Sequence, residues 1–313
     1  MVDNRFLEES AEHDPTWALA RSIAQRRLRV PNNLLHLVRN GWSGDVQPID
    51  LVKMIGFTGL NPNCLLNAAG MPTESRAPRV AELEKAIASL GVRYSTVIMA
   101  INASVRAILK TKPSVGWRKL LEGMMDDVQI GYCFGSRASE LGPEGGVLVA
   151  FARSLGPGLL LAHDLSAYKK YQELQRRSAR VSSHECIALF GCEPYQVSAM
   201  AVQRLGFGVD AAIAAACGLS NLRLEYIQLS DAAQRWRAAF HWIDALKEGR
   251  DYPADVDLRN AFNALRPPPD RKIKNPVLEM LYVEVIRVRR EGSSWTWHLP
   301  GLDYERTREA FGL

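Results

Sequence analysis

Apolar side chains recur at helical spacing almost from end to end of this chain, and glycine or proline interrupts them at short intervals. That pattern leaves room for many short to medium helices and for little else. Asp14-Pro15 reads as an N-cap followed by proline in the first turn, with Trp17, Ala20 and Ile23 inward. Pro31-Asn32 restarts the chain into LLHLVRNG, where Gly41 is the expected stop. Short helices are expected at 48–55 and 62–69. VAELEKAIASLGV puts Val80, Leu83, Ile87 and Leu90 on one face, with Gly91 as a left-handed C-cap. Longer patterns cover 94–110 and 117–140, and another runs from Gly145 to Gly156-Pro157-Gly158, which should break it. The pattern resumes over 164–178, 183–190, 194–205, 209–217 and 230–247, the last with Trp236, Ala239, Phe240, Ile243 and Leu246 inward.

The C-terminal end departs from this rule. Pro267-Pro268-Pro269 predicts a stiff extended connector. Beyond it LYVEVIRV is rich in β-branched residues, REGSS is turn-like, and WTWHL alternates Trp295, Trp297 and Leu299 against polar neighbours, which predicts a β-hairpin. A short helix over 303–311 follows. The fold class is therefore mainly α: a multi-helix bundle with a small C-terminal β-hairpin. At roughly 150 residues per domain the length suggests about two units. The pattern divides as an N-terminal helix in 1–27, a helical body in 28–225 and a C-terminal helical extension with the hairpin in 226–313.

Apolar residues are 47% of the chain and charged residues 23%, which excludes a disordered chain and gives enough material for a core. The 39 Lys and Arg exceed the 34 Asp and Glu by five, but the excess is spread along the sequence, so nucleic-acid binding is permitted without being demanded. The five cysteines (Cys64, Cys133, Cys186, Cys192, Cys217) form no CxxC pair, so neither a zinc site nor dithiol chemistry has support from spacing. The acidic, polar start carries no signal-peptide pattern, and VLVAFA and GLLLA fall far short of the ~18 residues that cross a bilayer. The expected location is the cytoplasm, away from membranes.

Catalytic patterns are scarce. The six histidines (His13, His36, His163, His184, His241, His298) include no pair at the i, i+4 spacing of a helical metal site. His163-Asp164 is the one fragment resembling a metal signature, that of the HD phosphohydrolases. The nearest upstream histidine, however, is His36, and Asp164 stands where a helix N-cap is needed. His184-Glu185 lacks a histidine four residues on, and Ser182 and Ser183 are candidate caps beside it. Ser154 and Ser198 have no G-x-S-x-G frame, and GPEGGVL has no P-loop lysine. Arg26-Arg27 and Arg289-Arg290 read first as solvated faces.

Four fragments, taken in order, resemble an HDOD domain, a bacterial signalling-output domain related to HD phosphohydrolases but generally lacking their metal site. Val30-Pro31 with LLHLVRNG resembles that family's first helix. PIDLVKMIGFTGLNPNCLLNAAG resembles its following pair of helices. ELEKAIASLGVRYSTVIMAINAS is similar to its "I-x-S-L-x-x-A-I-x-x-L-G" segment, and ECIALFGCEPYQVSAMAVQRLGFGVDAAIAAA to its "E-x-x-x-F-G-x-D-H" portion and the helices after it. The resemblance covers roughly residues 28–225 and implies an HD-like bundle.

The departures bear on function. Where catalytic relatives have "L-L-H-D-I-G", this chain has FARSLG, with Arg153 and Ser154 at the His-Asp positions; where many have "G-x-D-H", it has Gly191-Cys192-Glu193-Pro194. An arginine is itself a cation and a proline side chain donates nothing to a metal, so a di-metal centre loses its ligands and hydrolysis by an activated water loses its machinery. The resemblance thus implies a non-catalytic regulatory protein in signal transduction, acting through protein–protein contacts and needing no cofactor, with self-association left open. Trp295 and Trp297 are a candidate partner surface, with core packing as their other use. Two alternatives remain: a divergent metal-dependent phosphohydrolase built on His163 and Asp164, and a regulator that binds a cyclic nucleotide or nucleic acid.

Overall fold

In the computed structural model, residues 6–58, 60–71, 78–178, 181–218, 229–269 and 274–293 are described. Among them the regular structure is helical throughout, with no strand. The chain begins with α1 (Phe6–His13) and α2 (Pro15–Arg27), so the N-terminal segment holds two helices rather than one. Asp14 caps the second, accepting from the Thr16 N–H at 2.8 Å. There follow α3 (Asn32–Ser43), α4 (Pro48–Thr58), α5 (Asn63–Ala68), α6 (Val80–Leu90), α7 (Val92–Leu109), α8 (Trp117–Gly135) and α9 (Gly142–His163). The second half holds α10 (Leu165–Arg177), α11 (Ser183–Phe190), α12 (Pro194–Leu205), α13 (Val209–Gly218), α14 (Asp231–Glu248), the single turn α15 (Val256–Arg259), a 3-10 turn at Asn263–Leu265 and α16 (Pro276–Glu291).

The body is organised around α9. It packs most extensively on α8, then on α12 and α7, and α2 and α14 also touch it. The α8–α9 contact is close because glycines face each other. A Cβ on Gly131 would collide with the Gly146 carbonyl, and one on Gly135 with the Gly142 carbonyl. Among the described residues α9 is the one helix long and apolar enough to cross a membrane, yet 89% of that stretch is buried inside the fold. It is a core helix.

Three expectations about element ends are corrected. Gly156-Pro157-Gly158 does not break α9, which continues to His163. Proline in a helix costs about 3 kcal/mol, but here Gly156 and Gly158 on either side of it are buried in the core. A Cβ on Gly156 would meet the Pro194 carbonyl, and the Gly156 N–H also donates to Ser198 Oγ at 2.9 Å, so the segment is tied to α12. Gly41 is not the stop of α3. It is buried mid-helix against Thr96 of α7, and Gly44 takes the left-handed position two residues beyond Trp42, at φ 91° and ψ 10°. Gly91 does end α6, but at φ 82° and ψ 155°, a positive-φ conformation open to glycine yet outside the left-handed helical region. That conformation lets α7 leave at a bend of 111° from α6.

The expected β-hairpin is overturned in its first strand. LYVEVIRV lies within α16, where Asn275 accepts from the Val277 and Leu278 N–H groups and Pro276 opens the first turn. Leu278, Leu281, Val285 and Val288 form one buried face at helical spacing, so capping and burial outweigh the β preference of the branched residues. The intended second strand, with Trp295 and Trp297, and the expected helix over 303–311 lie outside the described residues.

Candidate functional site

Arg153 and Ser154 sit midway along α9, facing α8 and α14. The Arg153 guanidinium pairs with Asp244 of α14 through Nη2. One residue on, Ser154 Oγ donates to Asp127 Oδ2 of α8 at 3.1 Å. The other oxygen of Asp127 lies 2.5 Å from Lys247 Nζ, again on α14. The two carboxylates are 1% and 6% exposed, for Asp127 and Asp244 respectively. Asp244 and Lys247 are three residues apart, so one face of α14 presents an anion and a cation to the adjacent residues of α9 and α8.

This arrangement is electrostatically closed. A carboxylate in the interior must be paired, because desolvation of an isolated charge costs several kcal/mol. Each buried carboxylate here meets a cation supplied by the chain itself. Arg153 Nε and Nη1, and Asp127 Oδ1, are buried with no hydrogen-bond partner, the last lying against the Lys247 charge. The guanidinium is itself a cation and repels a metal ion. The residues present at this position therefore do not fit a divalent cation, and among the described residues no three His, Cys, Asp or Glu side chains gather as a cation site.

The second position matched to the family, Glu193 and Pro194, forms the start of α12. The Glu193 N–H donates to Gln196 Oε1 at 2.8 Å, and Gln196 Nε2 donates to Thr16 Oγ1 at 2.8 Å, tying α12 to α2. Burial, reinforced by a hydrogen bond to Glu193, pushes the Tyr195 phenol well above its ordinary range. The Pro194 carbonyl of this turn lies against Gly156 of α9. Its side chains serve the helix start.

His163 and Asp164 lie at the far end of α9. Asp164 caps α10 by accepting from the Ala167 N–H at 2.9 Å, as its sequence position predicts. Burial, with the nearby Arg27 charge, lowers the His163 pKa below its ordinary 6.5. Arg27 also donates to the His163 carbonyl at 3.5 Å. His36 is elsewhere, on α3. Among nucleophiles, all five cysteines are free and buried; burial pushes the Cys64, Cys133, Cys186 and Cys192 thiols up to about 12 and Cys217 to about 11, far from the thiolate form at neutral pH.

The partners Asp127, Asp244 and Lys247 escape the motif search. One signal for Asp244 was present: it interrupts the run Trp242, Ile243, Ala245, Leu246 on a helix whose inward face is otherwise apolar, and an acid so placed needs a cation. For Asp127 the signal is weaker, since Asp126-Asp127 reads equally as surface.

The helices packed around the buried α9 form an HD-like helical fold. Two solved structures share it. An HDOD domain protein of unknown function from Geobacter sulfurreducens matches with a TM-score of 0.56 and 14% identity over 96% of each chain. A candidate phosphohydrolase from Shewanella amazonensis SB2B matches with a TM-score of 0.55 and 13% identity over 87% of this chain and 94% of its own. At such identities the likeness is one of fold. No family model matches the sequence, and no curated protein matches it.

Proposed function

We propose that this chain is a non-catalytic regulatory module that acts in signal transduction by contact with another protein. The observation that carries the reading is the double ion pair at Arg153–Asp244 and Asp127–Lys247, with Ser154 joined to it. The position at which a hydrolase of this fold would hold cations is filled by the chain's own, and its hydrogen-bonding capacity is turned inward. A helical body with such a closed interior offers its surface for recognition.

Two measurements on the full chain test this together. With Mn²⁺, Mg²⁺ or Ni²⁺ supplied, hydrolysis of bis(p-nitrophenyl) phosphate stays at the rate of the buffer, and affinity capture followed by reconstitution from purified components yields a stoichiometric protein complex. Metal-dependent turnover that is lost in Asp127→Asn overturns the reading and favours a divergent phosphohydrolase.

A further inference from the structure

A half-open cleft of about 470 Å³ lies between α1, α2, α3 and α12, and it shares no residue with the ion-pair cluster on α9. Its size falls in the ~300–1,000 Å³ range of small-molecule sites. Arg21 of α2, Arg39 of α3 and Arg204 of α12 reach it from three separate helices, with His36 one turn before Arg39. Leu35 supplies partly exposed apolar surface over a floor closed by the buried Leu7, Ala24 and Met200, and Glu8 and Glu12 stand on α1 one turn apart.

Arg153, Arg137, Arg118 and Lys247 each meet a carboxylate; the arginines of the cleft do not. Among the described residues the side chains of Arg21 and Arg39 make no ion pair or hydrogen bond, and neither do Glu8 and Glu12, although all four line one cavity. Arg204 uses only Nε, which donates to the Leu28 carbonyl at 3.4 Å, so its two terminal nitrogens stay available. Guanidinium forks from different helices suit the oxygens of a phosphate better than any single charge does. The two carboxylates accept from hydroxyl or amino groups, and Leu35 offers a ring an apolar contact. Inorganic phosphate satisfies only the first of these demands.

We propose that this cleft binds a small phosphorylated ligand of nucleotide chemistry, its phosphates on Arg21, Arg39 and Arg204 and its hydroxyl or amino donors toward Glu8 and Glu12. The proposal holds whether or not the chain acts through a protein partner. It gives the fold a ligand input apart from the degenerate position on α9.

Calorimetric titration of the full chain with ADP tests it, beside adenosine, pyrophosphate and a single-stranded oligonucleotide as further probes. ADP is expected to bind saturably at one site, with adenosine and pyrophosphate each weaker. Arg21→Ala/Arg39→Ala is expected to weaken ADP by about tenfold or more, the worth of charge-assisted hydrogen bonds lost. Arg39 is exposed and Arg21 half-buried, and an unchanged circular-dichroism melt of the double variant separates loss of the site from loss of the fold. Absence of saturable ADP binding overturns the proposal, as does binding that the double variant leaves unchanged. An oligonucleotide that binds more tightly than ADP and is equally weakened by the double variant overturns it in favour of a nucleic-acid surface. Pyrophosphate binding as tightly as ADP reduces the site to an anion hole and removes the nucleotide assignment.

Discussion

The first half of α9, up to Arg153 and Ser154, is held by glycine contacts to α8 and by charges that cross to α8 and α14; its last turn ends in His163, whose Nδ1 is buried without a hydrogen-bond partner, with Asp164 beyond it capping the next helix. Both places carry a pair of polar residues with the look of a site. They differ in what the pair is asked to do. At the first, two buried carboxylates must be neutralised or the core fails; at the second, one helix must be ended and another begun. A His-Asp dipeptide is therefore less informative than the charges that surround it, and the ungainly Arg-Ser pair marks the more constrained position.

The largest effect that separates the two halves is expected at the α8–α9 crossing. Gly146→Val drives a side chain into the Gly131 carbonyl and the Gly135 backbone, which cannot yield as a flexible side chain would. Loss of about 4 kcal/mol or more is expected in urea denaturation, in the range reserved for backbone collisions in a core. A loss below about 1 kcal/mol would show that the helices slide apart freely, contrary to the close-packed account.

Next in size is Asp244→Ala, which leaves Arg153 buried without its counter-charge and should cost about 3–5 kcal/mol. The paired replacement Arg153→Met/Asp244→Leu should recover most of that loss, since apolar residues of similar volume commonly match or exceed a buried ion pair. Equal losses for the single and the paired variant would show that Arg153 contributes through something other than the pair.

At the far end the effects are smaller. Asp164→Ala removes one cap and should cost about 1 kcal/mol. His163→Gln should change only the acid limb of stability. Because the folded imidazole titrates below its ordinary 6.5, the unfolded chain takes up the proton first as the pH falls. Its contribution is thus fully present above pH 6.5 and is lost as the pH drops toward the lowered native value. Melting temperatures of the variant should fall less steeply than those of the parent below pH 6.5. Identical slopes would show that His163 is as solvated as in the unfolded chain.

Much of the helix order is legible in the sequence, because caps and apolar spacing are local: Asp14, Asp164 and Ser182 cap where expected, each accepting from a backbone N–H of its helix. What was missed is what depends on distant partners. Pro157 is tolerated because α12 grips Gly156, and Gly41 is a close-approach residue because Thr96 faces it. The β-branched run at 281–288 becomes helical because Leu281, Val285 and Val288 within it, with Leu278 one turn before, meet the core at helical spacing. The site follows the same rule. Arg153 and Ser154 are visible by position, whereas Asp127, Asp244 and Lys247 arrive from α8 and α14 and have no motif of their own.

The central claim is that the position on α9 is closed to cations by the chain's own charges. Calorimetric titration of the full chain with Mn²⁺ at neutral pH tests it most directly. The account predicts heats no larger than those of dilution. Saturable binding with a defined stoichiometry that vanishes in Asp127→Asn would contradict it.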